Sequence, residues 1–155
     1  DGIVALPHSG ASRPRIYRMV YGKLPDSRSR SSSLPLGPAM GPAGTVHLSL
    51  PDLATYARWH LREATPSPPL VTAASVARLH GVGQPDGYYG GWDRVARDWA
   101  RGQALTHTGT NTMFFAAVWL APARDFGVLA VSNQGGPAAA QACDAACAHL
   151  IQRRA

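Results

Sequence analysis

The sequence predicts an α/β domain: an antiparallel sheet with the C-terminal helix packed on one face, plus a loop-rich helical segment ahead of it. Three observations predict this. Apolar residues recur at helical spacing near the middle of the chain and again at its end. Between them, residues 88–133 hold runs of strand formers separated by short Gly-, Pro- and Asp-containing turns, the pattern of antiparallel neighbours. The 155 residues, 45% hydrophobic and 15% charged, suffice for one folded domain that hides roughly 70% of its unfolded surface.

The elements follow in order. Residues 1–87 form the loop-rich part with short helices. Residues 16–21 (IYRMVY) are expected to make a short strand, and the Ser-, Pro-, Gly- and Arg-rich residues 25–42 a long irregular loop. At Ser49 the pattern sharpens. Ser49 can cap a helix, Pro51 suits its first turn and Asp52 stands three residues after the cap. Leu50, Leu53, Ala54, Ala57 and Leu61 then share one face, so the helix should run to about Arg62, before the Pro-rich residues 65–69. A second, short helix starts near Thr72, carries Val76 and Leu79 and stops at Gly81.

Residues 88–155 are the sheet and its helix. Strands are expected from Gly90 to about Asp98, over 104–109, over 112–120 and over 126–133, with a turn at 122–125. The last two are apolar on both sides, which requires cover on both faces of the sheet. The final helix, about 136–153, sets Ala139, Ala142, Cys143, Ala146, Cys147 and Leu150 along one side and covers one face. A second cover is not evident apart from the short helices, so a layer is expected to be missing.

Composition removes several function classes. The net charge is +6, but the basic residues, with Lys23 the sole lysine, are scattered rather than gathered with stacking aromatics, so no nucleic-acid partner is expected. No apolar run approaches the ~18 residues of a membrane span. The chain begins at Asp1 without a basic-then-apolar leader and is read as a piece of a longer protein. Cys143 and Cys147 are too few for a disulfide framework and read as small apolar residues on a buried helix face.

The familiar reaction motifs are absent. There is no phosphate-binding glycine loop, no H-E-x-x-H and no G-x-S-x-G. The six histidines show no metal-ligand spacing, so neither metal nor cofactor is expected, and the single glutamate, Glu63, leaves no pair of that type for acid–base work. A serine–histidine hydrolase built from Ser9, Ser49, Ser75 or Ser132 has no spacing to select one of them. One segment stands out: residues 105–111, LTHTGTN, put a polar His-Thr-Gly triad at a strand end directly before a very apolar strand. A glycine there admits close approach of another backbone, and strand-edge N–H groups can extend a substrate or stabilise an oxyanion. The ordinary alternative is a polar hairpin end with Gly109 in a bulge.

Four blocks in order resemble the C-terminal half of the serine β-lactamase and penicillin-binding-protein superfamily, nearest its class C β-lactamase, esterase and D-aminopeptidase branch. Residues 42–46 (PAGTV) with 49–54 (SLPDLA) resemble the loop and helix "PAGGL…S…DLA". Residues 89–92 (YGGW) are similar to "YGLGW", His107-Thr108-Gly109 to the Lys-Thr-Gly or His-x-Gly triad, and residues 122–133 to the "P…GVVVLTN" turn and strand. The likeness covers about residues 40–153, with residues 1–87 as the tail of a helical subdomain.

The resemblance implies a β-lactamase/transpeptidase-like fold lacking its N-terminal part. It implies that His107 replaces the usual lysine, Thr108 hydrogen-bonds a substrate carboxylate or carbonyl, Gly109 clears space, the Thr110 N–H is an oxyanion donor and Asn111 contacts substrate. It also shows what is missing. The residue three before Lys23 is Val20, so S-x-x-K does not occur, and no tyrosine begins a Y-x-N. The expected function is the C-terminal portion of a serine hydrolase acting on a small-molecule or peptide-like acyl substrate, with a second chain or a lost segment carrying the nucleophile and this chain inactive alone. The alternative is a non-catalytic binding module of the same descent. Export to the periplasm or medium is implied by resemblance only.

Overall fold

The computed structural model describes residues 2–5, 48–62, 71–110 and 114–154. They form a six-stranded antiparallel sheet flanked by helices. The strands are β1 (Gly2–Ala5), β2 (Gly87–Tyr89), β3 (Trp92–Arg97), β4 (Gly102–Thr110), β5 (Phe115–Ala121) and β6 (Phe126–Ser132). The helices are α1 (Leu50–Leu61), α2 (Ala73–Leu79) and α3 (Pro137–Gln152). The spatial strand order is β1-β6-β5-β4-β3-β2, so from β2 to β6 each strand pairs with its neighbour in sequence. The expected strand at 16–21 and loop at 25–42 lie outside the described residues.

Local chemistry sets the helix starts. Ser49 caps α1: its hydroxyl oxygen accepts from the Asp52 N–H at 3.2 Å, and its O–H donates to the Asp52 carboxylate at 2.6 Å. The carboxylate also lies in the first turn, where the helix dipole favours it. Ser49→Ala removes both bonds and is expected to cost about 1 kcal/mol, read as a lower urea midpoint at unchanged slope. Thr72 caps α2 in the same way, accepting from the Ser75 N–H at 3.1 Å.

The strand at 90–98 starts later than expected. Gly90 and Gly91 have φ of +54° and +92° and form the two-residue turn between β2 and β3, with Tyr89 opposite Trp92. Positive φ at both central positions is the geometry that matches strand twist in a tight hairpin. Gly90 is also packed from beneath: a Cβ there would lie 2.7 Å from the Leu79 carbonyl oxygen. The end of α2 therefore seats directly on this hairpin.

The side chains alternate across the sheet. On one face Trp92, Leu105, Val118, Leu120 and Leu129 form a core with Ala54, Ala57 and Leu61 of α1. On the other, Ala117, Phe126, Val128 and Ala130 pack against Cys143, Cys147 and Ile151 of α3. The expected missing layer is thus corrected: α1 supplies the second cover. Its seam combines Ala54 and Ala57, which let the helix approach closely, with Leu61 and the partly buried Leu50 and Leu53. Both cysteines are buried and free, and burial pushes the Cys147 thiol up to about 12. No helix among the described residues is long and apolar enough to cross a membrane.

Candidate functional site

The polar segment singled out in the sequence is the C-terminal end of β4. This strand is central, but its two neighbours do not cover it equally. β3 pairs with residues 102–106, ending at Asp93 opposite Thr106, whereas β5 pairs from Leu105 through Thr110. His107 stands opposite Trp92, the first residue of β3, just beyond the paired stretch, and Thr108, Gly109 and Thr110 run past β3; all four keep β5 as a strand partner among the described residues. All four are exposed, while Ala104, Leu105 and Thr106 just before them are buried. The strand passes from core to surface within one residue.

Pairing continues in register from Leu105 opposite Leu120 to Thr110 opposite Phe115. Gly109 sits opposite Ala116 with no inserted residue, so it is not in a bulge, while the segment is the polar end of the paired β4 and β5. Nothing lies within 4 Å of where a Gly109 Cβ would stand. The glycine is demanded neither by a turn nor by a close neighbour among the described residues.

Period-two alternation divides the four residues. His107, opposite Val118, falls on the α1 face of the sheet together with Gly109; Thr108, opposite Ala117, falls on the α3 face with Thr110. The triad is thus not a cluster of side chains aimed at one point. What its members share is a run of backbone along one strand end. The Thr110 hydroxyl donates to the Phe114 carbonyl at 2.7 Å, closing the start of the β4–β5 connection. Asn111 lies outside the described residues.

Two neighbours of His107 were not evident in the sequence. Tyr88 of β2, 60% exposed, brings its ring centroid to 6.1 Å from the imidazole. Trp92, at the start of β3, is the last residue before the open stretch begins. Register alone carried the signal for either, and β2 has three residues. A cavity of about 430 Å³ lies elsewhere, lined by Arg101, residues 122–126 and Arg154. That is the opposite end of β4, about 27 Å from Thr110 at the usual rise per residue. Arg124 occupies it structurally, donating to the carbonyls of Trp99 and Arg154.

The candidate serines among the described residues behave as caps and turns. Ser49 and Ser75 serve the helix starts, and Ser132 accepts from the Gln134 N–H at 3.1 Å. Ser9 lies outside the described residues. Among the described residues no group of three or more His, Cys, Asp or Glu converges as metal ligands do.

The sequence matches the model of the family described as Beta-lactamase over residues 5–151. No curated protein matches it.

Proposed function

The chain belongs to the beta-lactamase family, and on that premise we propose that it supplies the substrate-edge strand of a serine hydrolase that transfers acyl groups from an amide, ester or β-lactam. The nucleophile is carried on polypeptide outside these 155 residues, because the sequence contains no S-x-x-K. The observation that carries the reading is the end of β4, where Thr108, Gly109 and Thr110 extend beyond β3. Such an edge can receive an extended substrate through main-chain hydrogen bonds and aim an N–H at a developing oxyanion.

The roles follow from that placement. A serine attacks the substrate carbonyl and the carbonyl oxygen becomes negative. The Thr110 N–H is one donor to it and the nucleophile's own N–H the other; a donor of this kind is typically worth about 3 kcal/mol in the transition state. Thr108 binds a substrate carboxylate or carbonyl, Asn111 contacts the substrate, and Gly109 leaves the strand surface open. His107 stands where the family's lysine would. An imidazole is not a fixed cation, so the reading favours the esterase, amidase or D-aminopeptidase branch over turnover of carboxylate-bearing β-lactams. His107→Lys in the complete hydrolase is expected to improve KM for a carboxylate-bearing β-lactam relative to a neutral ester. The gain should not exceed about fivefold, because an exposed ion pair is worth up to ~1 kcal/mol.

The test compares hydrolysis of a nitrophenyl ester by the 155-residue chain and by a longer polypeptide that includes upstream sequence. Turnover by the longer form alone supports the reading, and turnover by both defeats it. A second reading, a non-catalytic binding module of the same family, draws support from the closed core: helices cover both faces of the sheet. It requires both forms to be inactive while an acyl ligand still perturbs His107–Thr110.

A further inference from the structure

His60 and His80 stand twenty residues apart in sequence and meet in the interior. His60 is near the end of α1 and is 3% exposed; His80 follows α2 and is 2% exposed. His60 Nδ1 lies 2.7 Å from His80 Nε2. Around His60 are the rings of Tyr56, Trp59 and Trp92, with centroids at 4.5, 4.7 and 4.8 Å. Its other nitrogen, Nε2, is buried without a hydrogen-bond partner. The pair thus joins the end of α1, the end of α2 and the start of β3.

Hydrogen counting determines the state of the pair. One hydrogen occupies the bond between the rings. Were His80 the donor, His60 would carry its own hydrogen on Nε2, an orphaned donor inside an aromatic cage. With His60 donating from Nδ1, Nε2 is only an unused lone pair, the cheaper defect. Protonating His60 creates the orphaned donor and buries a charge. Placing the charge on His80 gives the same arrangement, because its Nε2–H then donates to His60 Nδ1 and the displaced hydrogen sits on His60 Nε2. Adding one proton to the pair therefore keeps the bond between the rings but buries a charge and an orphaned donor in the aromatic cage.

We propose that the His60–His80 pair is an acid-opened latch: with both rings neutral it holds the end of α1 against α2 and Trp92, and acid releases it. Among the described residues, the titratable groups facing His60 are Tyr56 from its own helix and His80 from the end of α2. β3 presents Trp92, which does not titrate, and Arg94 on the same face donates to the Gln84 carbonyl. Burial holds the Tyr56 phenol above its usual range, so it stays neutral in acid. Burial first, and His80 second, lower His60 to about 3. A histidine depressed in the folded state leaves stability intact above its unfolded value near 6.5; stability then falls as pH drops from there toward 3. Trp92 borders the open end of β4, so release is felt next to His107.

The experiment follows the imidazole and indole resonances of the 155-residue chain by NMR from pH 8 to 4, with far-ultraviolet circular dichroism alongside. The expected result is an Nδ1–H tautomer for His60 at pH 8. Below pH 6, the His60, His80, Trp59 and Trp92 signals should change together while the sheet signal persists. His60→Leu/His80→Leu should remove that step, and His80→Gln, whose amide oxygen accepts the same bond without titrating, should lower its midpoint by about a pH unit or more. The proposal is overturned if His60 is the Nε2–H tautomer. It is equally overturned if the two histidines titrate independently near 6.5 without an indole change, or if the step persists unaltered in His80→Gln.

Discussion

Leu129→Ala is expected to destabilise the domain by about 3 kcal/mol and lower its Tm by about 6–12 °C. Leu129 is 0% exposed and sits in the core between β5, β6 and α1. Removing its branched end forfeits the transfer energy of three carbons and leaves a cavity, and the range for such changes is about 2–5 kcal/mol. Collapse is limited here because the residues that share its core, Leu105, Val118 and Leu120 among them, are themselves buried and held on the sheet. Cys147→Ala, on the opposite face, deletes one sulfur and should cost far less, on the order of 1 kcal/mol. A thermal melt of the two variants separates them. Equal losses would mean that α1 does not seal its face of the sheet.

That seal shows where sequence and structure part. Periodicity marked α1 through Leu50, Leu53 and Leu61, and Ser49 with Asp52 marked its start, because caps and stripes are local properties. That α1 covers the sheet was not legible, because a stripe shows that a helix face is buried but not which element it is buried against. β4, β5 and β6 were legible as runs of apolar residues between turns, and α3 as an alanine-rich stripe. β1 was not: Gly2–Ala5 is four residues whose pairing partners begin at Val128, and a pairing that distant leaves no local trace. At the site, the oddity of His, Thr and Gly on a strand end was visible, whereas the open edge was not. It depends on β3 starting after a two-glycine turn, which trims the partner strand at Trp92. His60 and His80 look like unrelated histidines until α1 and α2 are packed.

Gly109→Ala is expected to leave the fold untouched and to lower turnover of the complete hydrolase about a hundredfold. The two halves of this prediction rest on one observation. A Cβ at Gly109 meets nothing within 4 Å, and its φ is not in the left-handed region. Alanine is therefore accommodated without strain, and strand stability should be unchanged or higher by about 0.5–1 kcal/mol, since glycine loses more entropy on folding. If the space above Gly109 belongs to substrate, the added methyl displaces the acyl group from the strand edge. A displacement near 1 Å is enough for a loss on the order of a hundredfold. A stable variant with unimpaired turnover would remove Gly109 from the substrate path.

The central claim is that this chain contributes a strand edge, and not the nucleophile, to an acyl-transferring site. Intact-mass spectrometry under denaturing conditions, after the native preparation has been exposed to a serine-reactive acylating probe, tests it most directly. The account predicts that the 155-residue chain gains no mass and that any adduct resides on other polypeptide. A stoichiometric adduct on a serine of this chain would contradict it.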